Sequence, residues 1–123
     1  MIRILIGDDR ASMRNALKVM FALRPQWVVC GEAEDFPEVM AKALELRPDV
    51  IVVDFKMPPF NGIESVRKIA RVLPSVPIIM YTLYKTEELE AAAKSAGARS
   101  VVGKEQGIQY LLAAIEAELA TST

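Results

Sequence analysis

Five short apolar runs alternate along this chain with five longer stretches whose apolar residues recur every three or four positions. The runs are Ile2 to Ile6, Trp27 to Ala33, Val50 to Val53, Ile78 to Tyr81 and Ser100 to Val102. They are too short for helices and rich in Val and Ile, which predicts β-strands. Each intervening stretch carries one apolar stripe at helical spacing: Met13, Leu17 and Met20; Phe36, Val39, Met40, Ala43 and Leu44; Ile63, Val66, Ile69 and Leu73; Leu89, Ala92, Ala93 and Ala96; and Ile108, Leu111, Leu112 and Ile115. Pro25, Pro48, Pro74 and Pro77 fall between elements, Pro37 suits a first helical turn, and Gly97 follows the fourth helix as a C-terminal glycine does. Successive strands separated by helices are parallel, because a parallel connection needs about a dozen residues or more and is right-handed. Helices then cover both faces. The fold class is α/β, a doubly wound five-stranded parallel sheet with five helices.

A length of 123 residues suits one domain over positions 1–123, and 52% apolar with 25% charged residues is a composition that buries a core. Lys and Arg number 15 against 16 Asp and Glu, so the net charge of −1 provides no footprint for nucleic acid or for an anionic membrane. Cys30 is the lone cysteine and lies in an apolar stretch, where a small buried hydrophobe is the expected role; it fits a reducing compartment. "MIRILIGDD" has too short an apolar run for a signal peptide, and no stretch approaches the roughly 20 residues of a membrane span, so a cytoplasmic protein is expected. The closing "ATST" reads as a frayed end.

Open α/β sheets bind ligands beyond the carboxyl ends of their strands. Asp8 and Asp9 follow the first run, Asp54 the third, Thr82 the fourth, and Gly103 and Lys104 the fifth. The second run ends in "EAED", expected to lie farther out. Singly, each of these residues has a plain structural role: Asp9 is expected to cap the first helix, a strand-end threonine turns the chain, and a lone lysine is solvated. Together they place three carboxylates, a hydroxyl and an amine on one rim. Three crowded carboxylates are tolerable only with a cation or with a raised pKa on one of them. Oxygen donors, with no histidine in the chain, point to Mg²⁺ or Mn²⁺ rather than zinc. One carboxylate beside such a metal is a nucleophile towards phosphorus, giving an acyl phosphate whose oxygens Thr82 and Lys104 bind.

These residues resemble the receiver domains of two-component response regulators, over essentially the whole chain. "GDD", "VVDFKMPPFNG", "MYT" and "GARSVVGK" stand in that family's order and approximate spacing. The resemblance implies a flavodoxin-like sheet of strand order 2-1-3-4-5. It implies Asp54 as acceptor of a phosphoryl group from a sensor histidine kinase or phosphotransfer protein. Asp9 is then the direct metal ligand, Asp8 acts largely through water, Asp54 shares the ion, and the backbone carbonyl of Lys56 supplies a further ligand. Thr82 and Lys104 contact the phosphoryl group, while Met57, Pro58 and Gly62 match the turn into the third helix. "WVVCGEAED" resembles regulators that carry a LuxR-type helix-turn-helix, which implies a DNA-binding effector domain outside this chain and is compatible with a homodimer.

Some positions depart from the family pattern. Val101 replaces a frequent aromatic, Glu105 replaces a frequent proline, Leu83 a small residue and Ser100 a glycine. A non-proline cis bond costs about 3–4 kcal/mol, so the Lys104–Glu105 peptide is expected to be trans. Lys56 and Tyr84 are expected to flank the line of water attack on the acyl phosphate and to slow self-dephosphorylation, or else to point into solvent. The small stripe of the fourth helix buries little area, so the face of the fourth helix, fifth strand and fifth helix is the expected output surface.

Three other functions compete with this reading. Phosphatases of the haloacid-dehalogenase type need a second aspartate two residues after the nucleophile, and Lys56 stands there. Flavodoxin-type nucleotide binders need a Ser, Thr and Gly loop where "GDDRAS" places two carboxylates. A degenerate receiver, a protein-interaction module that is never phosphorylated, retains some support from Val101 and Glu105. The expected function is a signalling switch, not an enzyme on external substrates, that catalyses its own phosphotransfer and slow dephosphorylation.

Overall fold

A computed structural model describes residues 1–121. Strands β1 (Ile2–Gly7), β2 (Trp27–Ala33), β3 (Val50–Val53), β4 (Ile78–Thr82) and β5 (Ser100–Gly103) alternate with helices α1 (Ala11–Phe21), α2 (Phe36–Leu46), α3 (Gly62–Val72), α4 (Glu87–Ala96) and α5 (Ile108–Thr121). A single 3-10 turn, Lys104–Gln106, precedes α5. The five strands form one parallel sheet in the order β2-β1-β3-β4-β5, as expected. Three strands run one residue beyond their apolar runs, to Gly7, Thr82 and Gly103. The backbone ladder continues past the last large apolar side chain, and that extension fixes the residues at the rim.

The side-chain period of two divides the core. Leu5, Ile51, Val53, Ile78, Met80 and Val101 face α2, α3 and α4. Ile4, Ile6, Val50, Val52, Ile79, Tyr81 and Val102 face α1 and α5. All four residues of β3 are therefore buried, which is why "VIVV" is unbroken by a polar residue. Cys30 sits at a bulge in β2, where Ile4 pairs with Val29 and Leu5 with Gly31. It is half-buried against the core instead of fully enclosed, and burial pushes its thiol pKa up.

Several helix ends follow their chemistry. Asp35 caps α2 by accepting from the Glu38 N–H at 2.8 Å, and Pro37 lies in the first turn. Thr86 caps α4 by accepting from the Leu89 N–H at 3.0 Å. Gly97 ends α4 with φ 123°, and a Cβ there would lie 2.5 Å from the Ala70 Cβ, so glycine answers both demands. Asp9 does not cap α1. The cap is Arg10, with no side-chain cap bond, because the carboxylate of Asp8 takes the Arg10 N–H at 2.9 Å and the helix begins only at Ala11.

Between β3 and α3 the Pro58–Pro59 bond is cis and Phe60 has φ 66°. The Phe60 N–H donates to the Met57 carbonyl at 2.7 Å, which closes the turn. A Cβ on Gly62 would sit 2.7 Å from the Phe55 carbonyl oxygen, so the chain leaves the strand end this tightly only with glycine there. The Lys104–Glu105 peptide is trans, as its non-proline residues require. Of the closing "ATST", Ser122 and Thr123 lie outside the described residues, while α5 continues through Thr121. Among the described residues, no helix is long and apolar enough to cross a membrane.

The helices are unequally held. Full burial of a Leu, Ile or Val side chain is worth about 1.5–3 kcal/mol. Helix α5 buries Leu111, Leu112 and Ile115, and α3 buries Val66 and Ile69, whereas α4 buries only Ala93 and Ala96, with Leu89 partly covered. Helix α4 therefore depends on its cap more than the others do. Thr86→Ala is expected to lower unfolding stability by about 1 kcal/mol, read from the urea midpoint, and to speed amide exchange in α4 first.

Candidate functional site

The backbone at the carboxyl edge of the sheet determines which side chains meet there. The Asp8 N–H donates to the Ala33 carbonyl and the Asp54 N–H to the Gly7 carbonyl, both at 3.0 Å, so each aspartate continues the ladder of its strand by one residue. Thr82 is the last residue of β4 and is fully buried; Lys104 follows Gly103 at the end of β5. Parallel strands ending in register bring all of these residues to one rim.

The Lys104 Nζ donates to Asp8 Oδ2 at 2.9 Å and to Asp54 Oδ2 at 3.1 Å. The three side chains are 4%, 3% and 8% exposed, respectively. One oxygen from each of Asp8, Asp9 and Asp54 lies within 4.8 Å of the others. At that separation each carboxylate pair repels by roughly 3 kcal/mol at an effective dielectric constant near 20, and each ammonium contact attracts by roughly 5. Lys104 thus offsets the repulsion between its two partners. Among the described residues, no hydrogen bond or ion pair holds the exposed Asp9 carboxylate. The predicted need for a cation is met in part from within the chain, and the excess of negative charge is left at Asp9.

Such a donor set fits a hard divalent cation: three carboxylates, no sulfur or nitrogen ligand, and one open side at Asp9. The two oxygens of Asp54 differ. Oδ2 carries the Lys104 ammonium, whereas Oδ1 meets only the Lys56 N–H at a long 3.3 Å. Oδ1 is the less engaged of the two. The Thr82 Oγ1 accepts from the Tyr84 N–H at 3.1 Å, which leaves its own proton available to a new acceptor.

Asp9, Arg10, Asp54, Lys56, Leu83 and Tyr84 line a cleft of about 210 Å³. Across it the Lys56 Nζ lies 3.3 Å from the Tyr84 hydroxyl and 5.1 Å from the ring centroid, a cation–π arrangement. The two side chains therefore meet at the mouth of the cleft, and both stay exposed to solvent there. Tyr81 packs behind Lys104, whose Nζ is 5.7 Å from its ring centroid. Burial raises the Tyr81 pKa and Glu105 adds to this, while the Lys104 charge partly offsets both. Val101 is buried in β5.

The structure also shows residues that sequence reasoning passed over. Arg14 donates from Nη1 to the Asp8 carbonyl at 2.7 Å and from Nε to Glu32 Oε1 at 3.0 Å, and the Lys18 Nζ holds Glu32 Oε2 at 2.7 Å. Glu32 belongs to "EAED", expected farther out, yet through Arg14 it reaches the acidic pair. The available signal was the spacing Arg10, Arg14, Lys18, which lines one helix face with basic residues. Gln106 accepts the Gly103 N–H at 2.8 Å and braces the turn behind Lys104.

A family profile described as the response regulator receiver domain matches residues 4–116. The chain is similar to the transcriptional regulatory protein LnrK of Bacillus subtilis (strain 168), 35% identical over 115 residues, with 94% of this chain and 52% of that protein covered. It thus spans about half of LnrK's length. Among solved structures it is similar to a LuxR-family two-component response regulator from Aurantimonas sp. SI85-9A1, with TM-score 0.92, 32% identity, and 97% and 85% of the two chains covered. The response regulator domain of Thermotoga maritima CheB matches with TM-score 0.86, 33% identity, and 99% and 96% covered.

Two predictions follow from the charges. Breaking a buried ion pair costs about 3–5 kcal/mol, so Lys104→Met is expected to lose stability on that scale in urea unfolding with EDTA present; a loss below about 1 kcal/mol would deny the bridge a structural role. The hydrogen bond from Lys18, then burial working against it, then Arg14 set the Glu32 pKa, with a net shift below its ordinary 4.5. A lowered folded-state pKa contributes stability above the unfolded value that is lost as pH falls through the folded one. Glu32→Gln is therefore expected to flatten the acid limb of stability below about pH 4.5, measured by thermal melts across pH.

Proposed function

The chain belongs to the response regulator receiver family, and from that premise we propose that it is a phosphorylation-dependent switch whose acceptor is Asp54. Receiver domains serve two-component signalling; the reading for this chain adds a residue-level mechanism over one domain, positions 1–123. The observation that carries it is the buried Lys104 ammonium shared by Asp8 and Asp54 beside a three-carboxylate cluster.

Asp8, Asp9, Asp54 and the Lys56 carbonyl would hold Mg²⁺ (or Mn²⁺), which neutralises the charge that gathers on the transferring oxygens. Asp54 Oδ1 attacks phosphorus in line. The new bond is Asp54 oxygen to phosphorus, and the bond that breaks joins phosphorus to the imidazole nitrogen of a sensor histidine kinase or phosphotransfer protein. The Lys104 ammonium transfers from the carboxylates to a phosphoryl oxygen, and the Thr82 hydroxyl donates its free proton to another. Because the Thr82 Oγ1 also holds the Tyr84 N–H, its movement draws on the connection that leads into α4. Helix α4 has the least buried anchoring, which supports the α4, β5 and α5 face as the output surface.

Lys56 and Tyr84, joined over the cleft, stand where water approaches the acyl phosphate and slow its loss. Turnover of external phosphate esters is disfavoured, because Lys56 occupies the position where a general acid is needed. The likeness to a LuxR-family regulator and to a transcriptional regulatory protein supports a DNA-binding effector domain outside this chain, while the net charge of −1 gives this domain no footprint of its own for nucleic acid.

Intact mass after incubation with a small acyl phosphate and Mg²⁺ tests the reading. One phosphoryl adduct is expected on the wild type and none on Asp54→Asn or in EDTA. An unmodified wild type would support the phosphorylation-independent interaction module instead. The Lys56→Ala/Tyr84→Ala double variant is expected to lose its phosphoryl group several-fold faster; an unchanged half-life would remove the shield from the account.

A further inference from the structure

Every polar atom of Asp8 is engaged, each by a different part of the fold. Its N–H donates to Ala33 at the end of β2, its Oδ1 accepts the Arg10 N–H, its Oδ2 accepts the Lys104 ammonium, and its carbonyl accepts from Arg14 Nη1 at 2.7 Å. In the mechanism above Lys104 leaves when a phosphoryl group arrives. The Arg14 bond is the side-chain contact from outside the loop that stays.

That bond has a geometric consequence. The Asp8 carbonyl belongs to the rigid plane of the Asp8–Asp9 peptide. A guanidinium fixed on its oxygen sets the tilt of that plane, and the tilt sets the direction in which Asp9 leaves the chain. Asp9 is exposed, and among the described residues no bond holds its carboxylate, so its aim comes from its backbone. Arg14 is itself held: only 16% of its side chain is exposed, and its Nε is fixed on Glu32, which the Lys18 Nζ grips on the other oxygen at 2.7 Å. The sequence spaces Arg14 one helical turn from both Arg10 and Lys18, so α1 carries the brace as a rigid unit.

We propose that Arg14, braced by Glu32 and Lys18, is a positioning residue that orients the Asp8–Asp9 peptide and thereby sets the affinity of the acidic cluster for Mg²⁺. This rests on the reading that the cluster binds Mg²⁺. Magnesium demands near-octahedral geometry and tolerates misplaced ligands poorly, so a peptide free to tilt costs affinity.

The sign of the effect separates positioning from charge. Arg14 is a cation beside an anionic site, so as a mere charge it repels Mg²⁺ and its neutral replacement tightens binding. Positioning predicts the opposite. Partners that orient metal ligands are worth ~10- to 100-fold in affinity, and Arg14→Gln is expected to weaken Mg²⁺ binding within that range. Arg14→Lys keeps the charge but lacks the fork that spans the Asp8 carbonyl and Glu32, and it is expected to weaken binding as well. Isothermal titration calorimetry with MgCl₂ at fixed ionic strength measures both, and circular dichroism confirms folding at the titration temperature. ¹⁵N spectra without metal are expected to show the Asp9 amide displaced in both variants. Unchanged binding by Arg14→Lys, or tighter binding by Arg14→Gln, overturns the proposal while wild-type binding leaves the metal reading intact. A wild type that does not bind Mg²⁺ overturns both. If Arg14→Gln does not fold, Arg14→Lys alone decides by the same criterion.

Discussion

Two carboxylates and one ammonium, each nearly cut off from water, meet between the ends of β1, β3 and β5, and the rest of the site is arranged around that meeting. Lys104 holds Asp8 and Asp54 at 2.9 and 3.1 Å. A buried ion pair of this kind is weak support for stability, since the cost of removing charges from water rivals the attraction gained. Its value lies in specifying geometry. The bridge ties three strands at their functional ends and holds the ammonium beside the carboxylate at which new negative charge is proposed to appear. Any group that outbids Asp8 and Asp54 for Lys104 alters contacts on β1, β3 and β5 at once.

The sheet explains why this meeting lies at an edge. Helices cover both faces of β3, so its residues are apolar without exception until the strand ends. A charged side chain within it would face Leu5 and Met80 on one side or Ile6 and Ile79 on the other. Past Val53 the apolar layers give way, and Asp54 is the first position at which a carboxylate meets a neighbouring lysine, Lys104, and the other carboxylates of the rim. The turn beyond it, closed by the Phe60 to Met57 hydrogen bond and made tight by Gly62, carries the chain away before α3 blocks the cleft.

How far the sequence revealed this depends on the kind of interaction. Short apolar runs located every strand and a 3.6-residue period every helix, because burial selects apolar residues along a covered strand and along one face of a helix; the strand reading was less complete at its ends. It placed the ends of β1, β4 and β5 one residue short, since Gly7, Thr82 and Gly103 extend the ladder without adding a large apolar side chain. Asp8, Asp9, Asp54, Thr82 and Lys104 were legible because strand ends on a parallel sheet converge by topology alone. Arg14 and Glu32 were not: they lie 18 positions apart, and a basic stripe on a helix ordinarily marks solvent. Asp9 was misread as a cap because its residue type and position fit one, while the neighbouring Asp8 carboxylate took the N–H at the start of the helix.

The contact that carries the account is the one Lys104 makes, and a crystal structure of the chain with Mg²⁺ and beryllofluoride, a phosphoryl analogue, addresses it most directly. The account predicts the analogue on Asp54 Oδ1, the Lys104 Nζ within hydrogen-bonding distance of a fluoride, the Thr82 hydroxyl on another, and the ion among Asp8, Asp9, Asp54 and the Lys56 carbonyl. An analogue bound elsewhere, or Lys104 still bridging Asp8 and Asp54 with the analogue in place, would contradict it.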